Sequence, residues 1–145
     1  MDNENAYIGI ETKVYGRIMS TIGSVRPEAG GMIGGYNGVV TEFYYDNPCG
    51  RKNVDDYVYI PNVNHMNQIL EDWYARNIEF MGIIHSHPAD MKTLSFADIR
   101  YAQKLIKDND MNYVLFPIIE METVPVLKMY RVDLCTVVEM KVVIV

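Results

Sequence analysis

Apolar positions recur along this chain with two periods, one typical of helices and one typical of strands. From Ile8 to Val25 four apolar side chains recur at helical spacing, which predicts a first helix. These side chains are Ile10, Val14, Ile18 and Ile22. Glycine-rich corners follow, and the segment Val39 to Tyr45 carries β-branched and aromatic residues. This pattern predicts two strands joined around Asn37-Gly38.

The second half of the chain predicts two more helices and four more strands. A helix opens near Pro61 and a second runs from Ser95 to about Lys107, while the apolar run from Glu79 to His85 predicts a strand buried on both faces. The predicted inner faces of the two helices are Met66, Ile69, Leu70 and Trp73, and Ala97, Tyr101 and Leu105. The last three strand-like runs are NYVLFPII, PVLKMYRV and CTVVEMKVVIV.

The order of these elements predicts an α/β fold, because helices and strands alternate before a final run of strands. A mixed sheet with helices on its faces is the simplest arrangement. The 145 residues contain neither a repeat nor a linker, so we expect a single domain over residues 1–145.

Composition and charge narrow the class of function. Hydrophobic residues make up 49% of the chain and charged residues 22%, as in ordinary globular proteins. The formal net charge of −6 argues against nucleic-acid binding, which needs basic surface. The chain has neither a signal-peptide pattern nor an apolar run of membrane-spanning length, so we expect a cytoplasmic protein. Cys49 and Cys135 lack CxxC spacing, which fits a reducing compartment.

The stretch GIIHSHPADMKTLSFAD carries the candidate chemistry. Side chains at i and i+2 of a strand point the same way, so His85 and His87 can reach one point, and Pro88 then turns the chain away. Ser95 has the character of a helix N-cap, and Asp98 lies in the first turn of that helix.

Two imidazoles and one carboxylate form the ligand set of a catalytic zinc site that keeps one position for water. Such a site is hydrolytic, and it needs a further carboxylate to move the proton of the water. Each part alone has a plainer explanation, because a buried histidine is more often a core residue and S-x-x-D is more often a capping box. The joint pattern HxHPx6SxxD favours the zinc site.

This pattern resembles the motif of the JAMM (MPN+, JAB) zinc metallopeptidases, and the short chain resembles their prokaryotic JAB-like branch. The family motif includes an upstream glutamate near a glycine pair, and RPEAGGMIGG places Glu28 there. Spacing alone does not select Glu28 over Glu42, Glu71 or Glu79. The resemblance also implies an MPN (JAB) domain with a cytidine-deaminase-like, three-layer α/β/α arrangement.

Carried over by position, the resemblance implies that His85, His87 and Asp98 bind one zinc ion per chain. Glu28 would be the general acid/base, and Ser95 would stabilise the oxyanion. A second zinc is not expected, because the sequence has no histidine after His87.

The resemblance also implies a substrate class. The protein would hydrolyse peptide or isopeptide bonds after the Gly-Gly tail of a ubiquitin-like or sulfur-carrier protein. The tail would add as an extended strand beside the active-site strand. Specificity is expected to reside in the segment Asn47 to Tyr59, and apolar strand edges in VEMKVVIV lead us to expect a homo-oligomer.

Two other functions remain open at this point: a non-catalytic MPN module that binds ubiquitin-like tails, and a zinc amidase acting on another small substrate. RadC-family proteins share a similar string of residues, so the motif alone does not establish proteolysis. His65 is expected to be a helix-surface or packing residue, and Cys49 lacks a neighbouring base in the sequence that would make it a nucleophile.

Overall fold

The computed structural model describes residues 7–25, 29–46, 62–89, 91 and 93–145. Within these ranges the chain forms eight strands and three α-helices, which confirms the mixed α/β class. The elements are β1 (Tyr7–Ile10), α1 (Thr12–Thr21), a 3₁₀ turn (Ile22–Ser24), β2 (Gly30–Tyr36), β3 (Val39–Asp46), α2 (Val63–Ala75), β4 (Glu79–Pro88), α3 (Phe96–Asp108), β5 (Val114–Leu115), β6 (Ile118–Met121), β7 (Val126–Val132) and β8 (Val137–Ile144).

The strands form one sheet that closes on itself. Their order is β2-β3-β1-β8-β7-β5-β4-β6, and β2 also pairs with β4 while β6 also pairs with β7. The glycine-rich β2 shifts register against both of its neighbours, near Gly34, and such irregularities bend a strand. A closed ring of strands is not the open sheet of a three-layer α/β/α arrangement, so that part of the expected fold is not confirmed.

The first predicted helix begins later than its apolar spacing indicated. Residues 7–10 form a strand, and the helix starts only at Thr12. Ile8 and Ile10 lie on one face of β1. Ile8 pairs with Val142 and Ile10 pairs with Ile144, both in strand β8. Residues 8–10 were predicted to be helical, and their pairing with a distant strand makes them part of a strand instead. The four apolar residues predicted for this helix are nevertheless all buried.

The hairpin and α2 are confirmed. Asn37 and Gly38 join β2 to β3 with φ angles of 55° and 73°, the left-handed region that a tight hairpin turn requires. On α2, Met66 and Trp73 are buried, and His65 is exposed as expected.

The inner face of α3 is displaced from the predicted one. Ala97 is exposed, while the buried positions are Ala102 and Ile106. Tyr101 and Leu105 are half-buried against the same core. Positions 98, 101, 102, 105 and 106 share one face of the helix at i, i+3, i+4, i+7 and i+8 spacing, and Ala97 lies outside that face.

Two clusters of buried side chains lie on opposite faces of β4. Ile84 belongs to the cluster that α1 covers, and Ile83 to the cluster that α2 and α3 cover. Residues 82–87 are buried, which confirms that this strand is covered on both faces. His85 and His87 therefore share the face of Ile83, on the side of α2 and α3.

Strand β8 has a strand partner along each half. Val137 to Met140 pair with β7, and Lys141 to Ile144 pair with β1. Several apolar side chains of this strand are exposed. Association between chains stays a prediction.

Three sequence-based predictions fall outside the described residues. They are the roles of Glu28, of Cys49 and of the segment Asn47 to Tyr59. Across the described ranges, none of the helices combines the length and apolar character needed to cross a membrane.

Candidate metal centre

The two histidines of the motif lie at the carboxyl end of β4. The strand continues through Ser86 to Pro88, as the i, i+2 geometry required. His85 is 3% exposed and His87 is 1% exposed. Their Nε2 atoms lie 2.7 Å apart, so both rings point at one place.

The amino terminus of α3 supplies the third group. The Ser95 hydroxyl oxygen accepts a hydrogen bond from the Asp98 backbone N–H at 3.1 Å, and the Ser95 N–H donates to Asp98 Oδ2 at 3.0 Å. This reciprocal pair is the capping box that the S-x-x-D spacing predicted. It fixes the Asp98 carboxylate on a rigid helix end.

The three side chains meet at one point. Asp98 Oδ1 lies 3.3 Å from His85 Nε2, and Asp98 Oδ2 lies 3.1 Å from His87 Nε2. Metal–ligand bonds of about 2.0–2.2 Å place neighbouring ligands of a tetrahedral zinc site roughly 3.3–3.6 Å apart. The observed separations of 2.7, 3.1 and 3.3 Å range from well below that spacing to its lower limit, so the three ligand atoms are close enough together to hold a metal ion.

The second ring nitrogen of His87 has a partner that sets its tautomer. His87 Nδ1 lies 3.1 Å from the Met91 carbonyl oxygen, which can only accept a hydrogen bond. The Nδ1 atom therefore carries a proton. Nε2 donates to Asp98 when both ring nitrogens are protonated, and it offers a lone pair to a metal when only Nδ1 is protonated. Metal-binding histidines commonly have such a carbonyl partner.

His85 is held mainly by packing. Its ring meets the Phe116 ring edge to face at a centroid distance of 5.0 Å. Its buried Nδ1 has no hydrogen-bond partner among the described residues. The aromatic contact fixes the plane of the ring.

Electrostatic interactions keep the Asp98 carboxyl group ionised. Burial acts to raise the pKa of Asp98, but hydrogen bonds from His85 and His87 outweigh it and hold this pKa well below its ordinary value. Asp98 is thus a carboxylate at neutral pH, the form that a metal ligand requires.

Ser86, between the two histidines, points to the opposite face and was missed in the sequence. It is completely buried; its Oγ accepts the N–H of Ala29 at 2.9 Å, and its own N–H donates to the Ala29 carbonyl at 2.9 Å. Ala29 directly follows Glu28. Two hydrogen bonds therefore tie the start of β2 to the strand that carries the histidines.

A buried carboxylate next to His87 was also missed. Glu120 on β6 pairs in register with His87 and is 4% exposed. Lys128 Nζ lies 3.0 Å from Glu120 Oε1 and balances its charge. The sequence signal was an acidic residue inside an apolar strand, PIIEM.

Comparison with known proteins bears on the fold. The chain resembles the solution structure of protein DSY2949 from Desulfitobacterium hafniense, with a TM-score of 0.72, 22% identity, and coverage of 95% of this chain and 92% of the other. It also resembles the crystal structure of AF2198, a JAB1/MPN domain protein from Archaeoglobus fulgidus, with a TM-score of 0.54, 16% identity, and coverage of 95% and 99%. No protein-family model and no curated protein matches the sequence. The chain therefore has an MPN-like fold, with a group of residues that could hold a metal at the end of β4.

Proposed function

We propose that this chain is a zinc-dependent metallopeptidase or isopeptidase of the JAMM type. The observation that carries this proposal is the convergence of the His85, His87 and Asp98 ligand atoms within 3.3 Å of one another. The likeness of the fold to a JAB1/MPN domain protein supports it.

In this proposal His85, His87 and Asp98 hold the zinc. A bound zinc ion would polarise the scissile carbonyl and lower the pKa of a water toward neutrality. The Met91 carbonyl keeps the proton of His87 on Nδ1, and the Ser95 N–H holds Asp98 Oδ2. These contacts orient two of the three ligands before the metal arrives.

Two further residues would carry the proton and the developing charge. Glu28 is the proposed general acid/base, which takes a proton from water and delivers it to the leaving amine. The Ser95 oxygen accepts the Asp98 N–H, and its own hydroxyl hydrogen would donate to the oxyanion.

The proposed substrate is the Gly-Gly tail of a ubiquitin-like or sulfur-carrier protein. Strands β2 and β6 pair with β4 on either side of His85, so a tail could not add as a strand beside β4 at that residue. We propose instead that the tail lies across the face of the sheet. Asp46 and Asn62, which flank residues 47–61, are hydrogen-bonded at 2.9 Å, and Asp46 pairs with Gly30, the partner of His85. This position supports a role in specificity for the segment Asn47 to Tyr59.

The first test is the metal content of protein purified without chelator and supplied with zinc. About one zinc per chain is expected, and His85→Ala, His87→Ala and Asp98→Ala should each lose it. His65→Ala is the matched control, because His65 is an exposed histidine on α2 and should leave the metal content unchanged. Equal zinc in the Asp98→Ala and His65→Ala proteins would refute the metal centre.

The second test separates catalysis from binding. Glu28→Gln should retain zinc and lose hydrolysis of fusions that carry a Gly-Gly tail, by a factor on the order of 10² to 10⁴. Unchanged turnover in that variant would contradict the mechanism. Tail binding without hydrolysis in the unaltered protein would identify a binding module, and hydrolysis restricted to small amides would identify an amidase.

A further inference from the structure

A cleft of about 790 Å³ opens between α2 and α3. Its floor is formed by Met32 of β2 and Ile83 of β4, which are 1% and 2% exposed. Leu70 and Trp73 of α2 form one wall, and Tyr101 of α3 stands in the other. The cleft is therefore lined by apolar and aromatic side chains from four elements.

The size and lining of this cleft fit a small molecule. Ligand sites typically have volumes of about 300–1,000 Å³, mostly apolar walls and a few polar groups. Methionine side chains such as Met32 and Met111 adapt to different apolar shapes. Moving an aliphatic chain from water into such a cleft is favourable in proportion to the apolar surface that is removed from water.

The mouth of the cleft selects against negative charge. Asn67, Asn77 and Asn109 are exposed there and present amide groups. Among the described residues that line the cleft, Glu79 carries the only charge. A carboxylate at the mouth would meet Glu79 without a compensating cation, whereas a hydroxyl or amide could exchange hydrogen bonds with the asparagines.

The tryptophan wall is held rigidly against the sheet. A Cβ atom on Gly34 would lie 2.7 Å from Cζ3 of Trp73, so this ring packs where only a glycine leaves room. Trp73 is 3% exposed. One wall of the cleft is therefore fixed before any ligand binds.

We propose that this cleft binds an uncharged amphiphile, an aliphatic chain that ends in a hydroxyl or an amide. The chain would lie against the half-buried Leu70 and Leu105, which line the cleft together with Ile83 and Trp73, and the polar end would remain with the asparagines at the mouth. Ile83 precedes His85 by two residues on the same face of β4, and the described lining of the cleft includes none of the three proposed metal ligands. The proposal needs neither zinc nor hydrolysis, and it is independent of the proposed peptidase.

The single tryptophan of the chain provides the measurement, because Trp73 itself lines the cleft. Its fluorescence is followed while decanol or decanoate is added to the full chain below the critical micelle concentration. Decanol is expected to cause a saturable change in emission, and decanoate at the same concentrations is expected to bind about tenfold more weakly or not at all. Equal binding of the two probes, or no saturable change with decanol, would overturn the proposal.

Two variants locate the binding. Leu105→Phe adds volume to the α3 wall and should weaken decanol binding by about tenfold, while Leu134→Phe makes the same change at an exposed position outside the cleft and should not. Glu79→Lys should strengthen decanoate binding by about tenfold, and Glu11→Lys, near α1, should leave it unchanged. Identical behaviour of each variant and its control would place the ligand elsewhere, and circular dichroism establishes that each variant is folded.

Discussion

At the scale of single residues, the candidate metal centre depends on the hydrogen bonds that Ser86 makes on the opposite face of β4 from the two histidines. His85 and His87 face α3, while Ser86 between them faces the other way and binds Ala29 through two hydrogen bonds of 2.9 Å. Successive side chains of a strand point to opposite faces, so the tripeptide His85-Ser86-His87 presents two proposed ligands on one face and anchors strand β2 from the other.

We predict that Ser86→Ala lowers the free energy of unfolding by about 1–3 kcal/mol, because it leaves the buried N–H of Ala29 without an acceptor. Ser20→Ala is the control, since the Ser20 hydroxyl donates to a carbonyl at an exposed site and its loss should change stability by less than about 0.5 kcal/mol. Urea denaturation in the presence of chelator measures both. Equal effects of the two substitutions would mean that the bond to Ala29 does not stabilise the fold.

At the scale of elements, the glycine in strand β4 and the glycine in helix α1 differ in how much space a larger side chain would have. Gly82 of β4 pairs with Leu115 of β5, and a Cβ atom at Gly82 would collide with the Leu115 carbonyl oxygen. Gly16 of α1 has nothing within 4 Å of the position where a Cβ would lie. The first glycine is required by close approach of two strands, and the second is not.

The same substitution should therefore act in opposite directions at these positions. Gly82→Ala forces β4 and β5 apart and should cost about 1–3 kcal/mol of stability or more. Gly16→Ala should stabilise by roughly 0.5–1 kcal/mol, because alanine is the better helix former. Thermal and urea denaturation of the two variants measure whether the free energy of unfolding rises or falls. A destabilised Gly16→Ala protein would show that α1 needs a glycine for a reason other than space.

At the scale of the whole molecule, the proposed zinc ligands join two elements that the chain connects only through residues 89–95. His85 and His87 belong to β4, and Asp98 belongs to α3. A metal held by all three would bind the folded chain and not the unfolded one, so its binding free energy would add to stability.

We predict that zinc at about 100 times its dissociation constant raises the free energy of unfolding by roughly 2.7 kcal/mol. Chelator should reverse the increase, and the Asp98→Ala protein should not show it. Denaturation with zinc and with chelator makes the comparison. An increase of the same size in Asp98→Ala would mean that zinc stabilises the chain from another site.

Sequence alone determined the features that arise within one element or between close neighbours in the chain. The i, i+2 spacing of His85 and His87 on a strand, and the i, i+3 capping box of Ser95 and Asp98, follow from local backbone geometry. The same holds for the turn at Asn37-Gly38, which local conformational preference selects. Local geometry placed the two histidines on one face of a strand and Asp98 in the first turn of a helix. That Asp98, eleven residues beyond His87, would join them was expected from the joint motif and its resemblance to a known family.

Tertiary structure decided everything that depends on contact between distant residues. Tyr7 pairs with Lys141, which turns the predicted start of α1 into a strand and helps to close the sheet. The bonds from Ser86 to Ala29, the place of Glu120 beside His87, and the cleft beside Trp73 likewise join separate segments. Local periodicity carries no information about which strand a segment will meet, so pairing between strands, rather than the pattern within them, shaped the surroundings of the candidate metal centre.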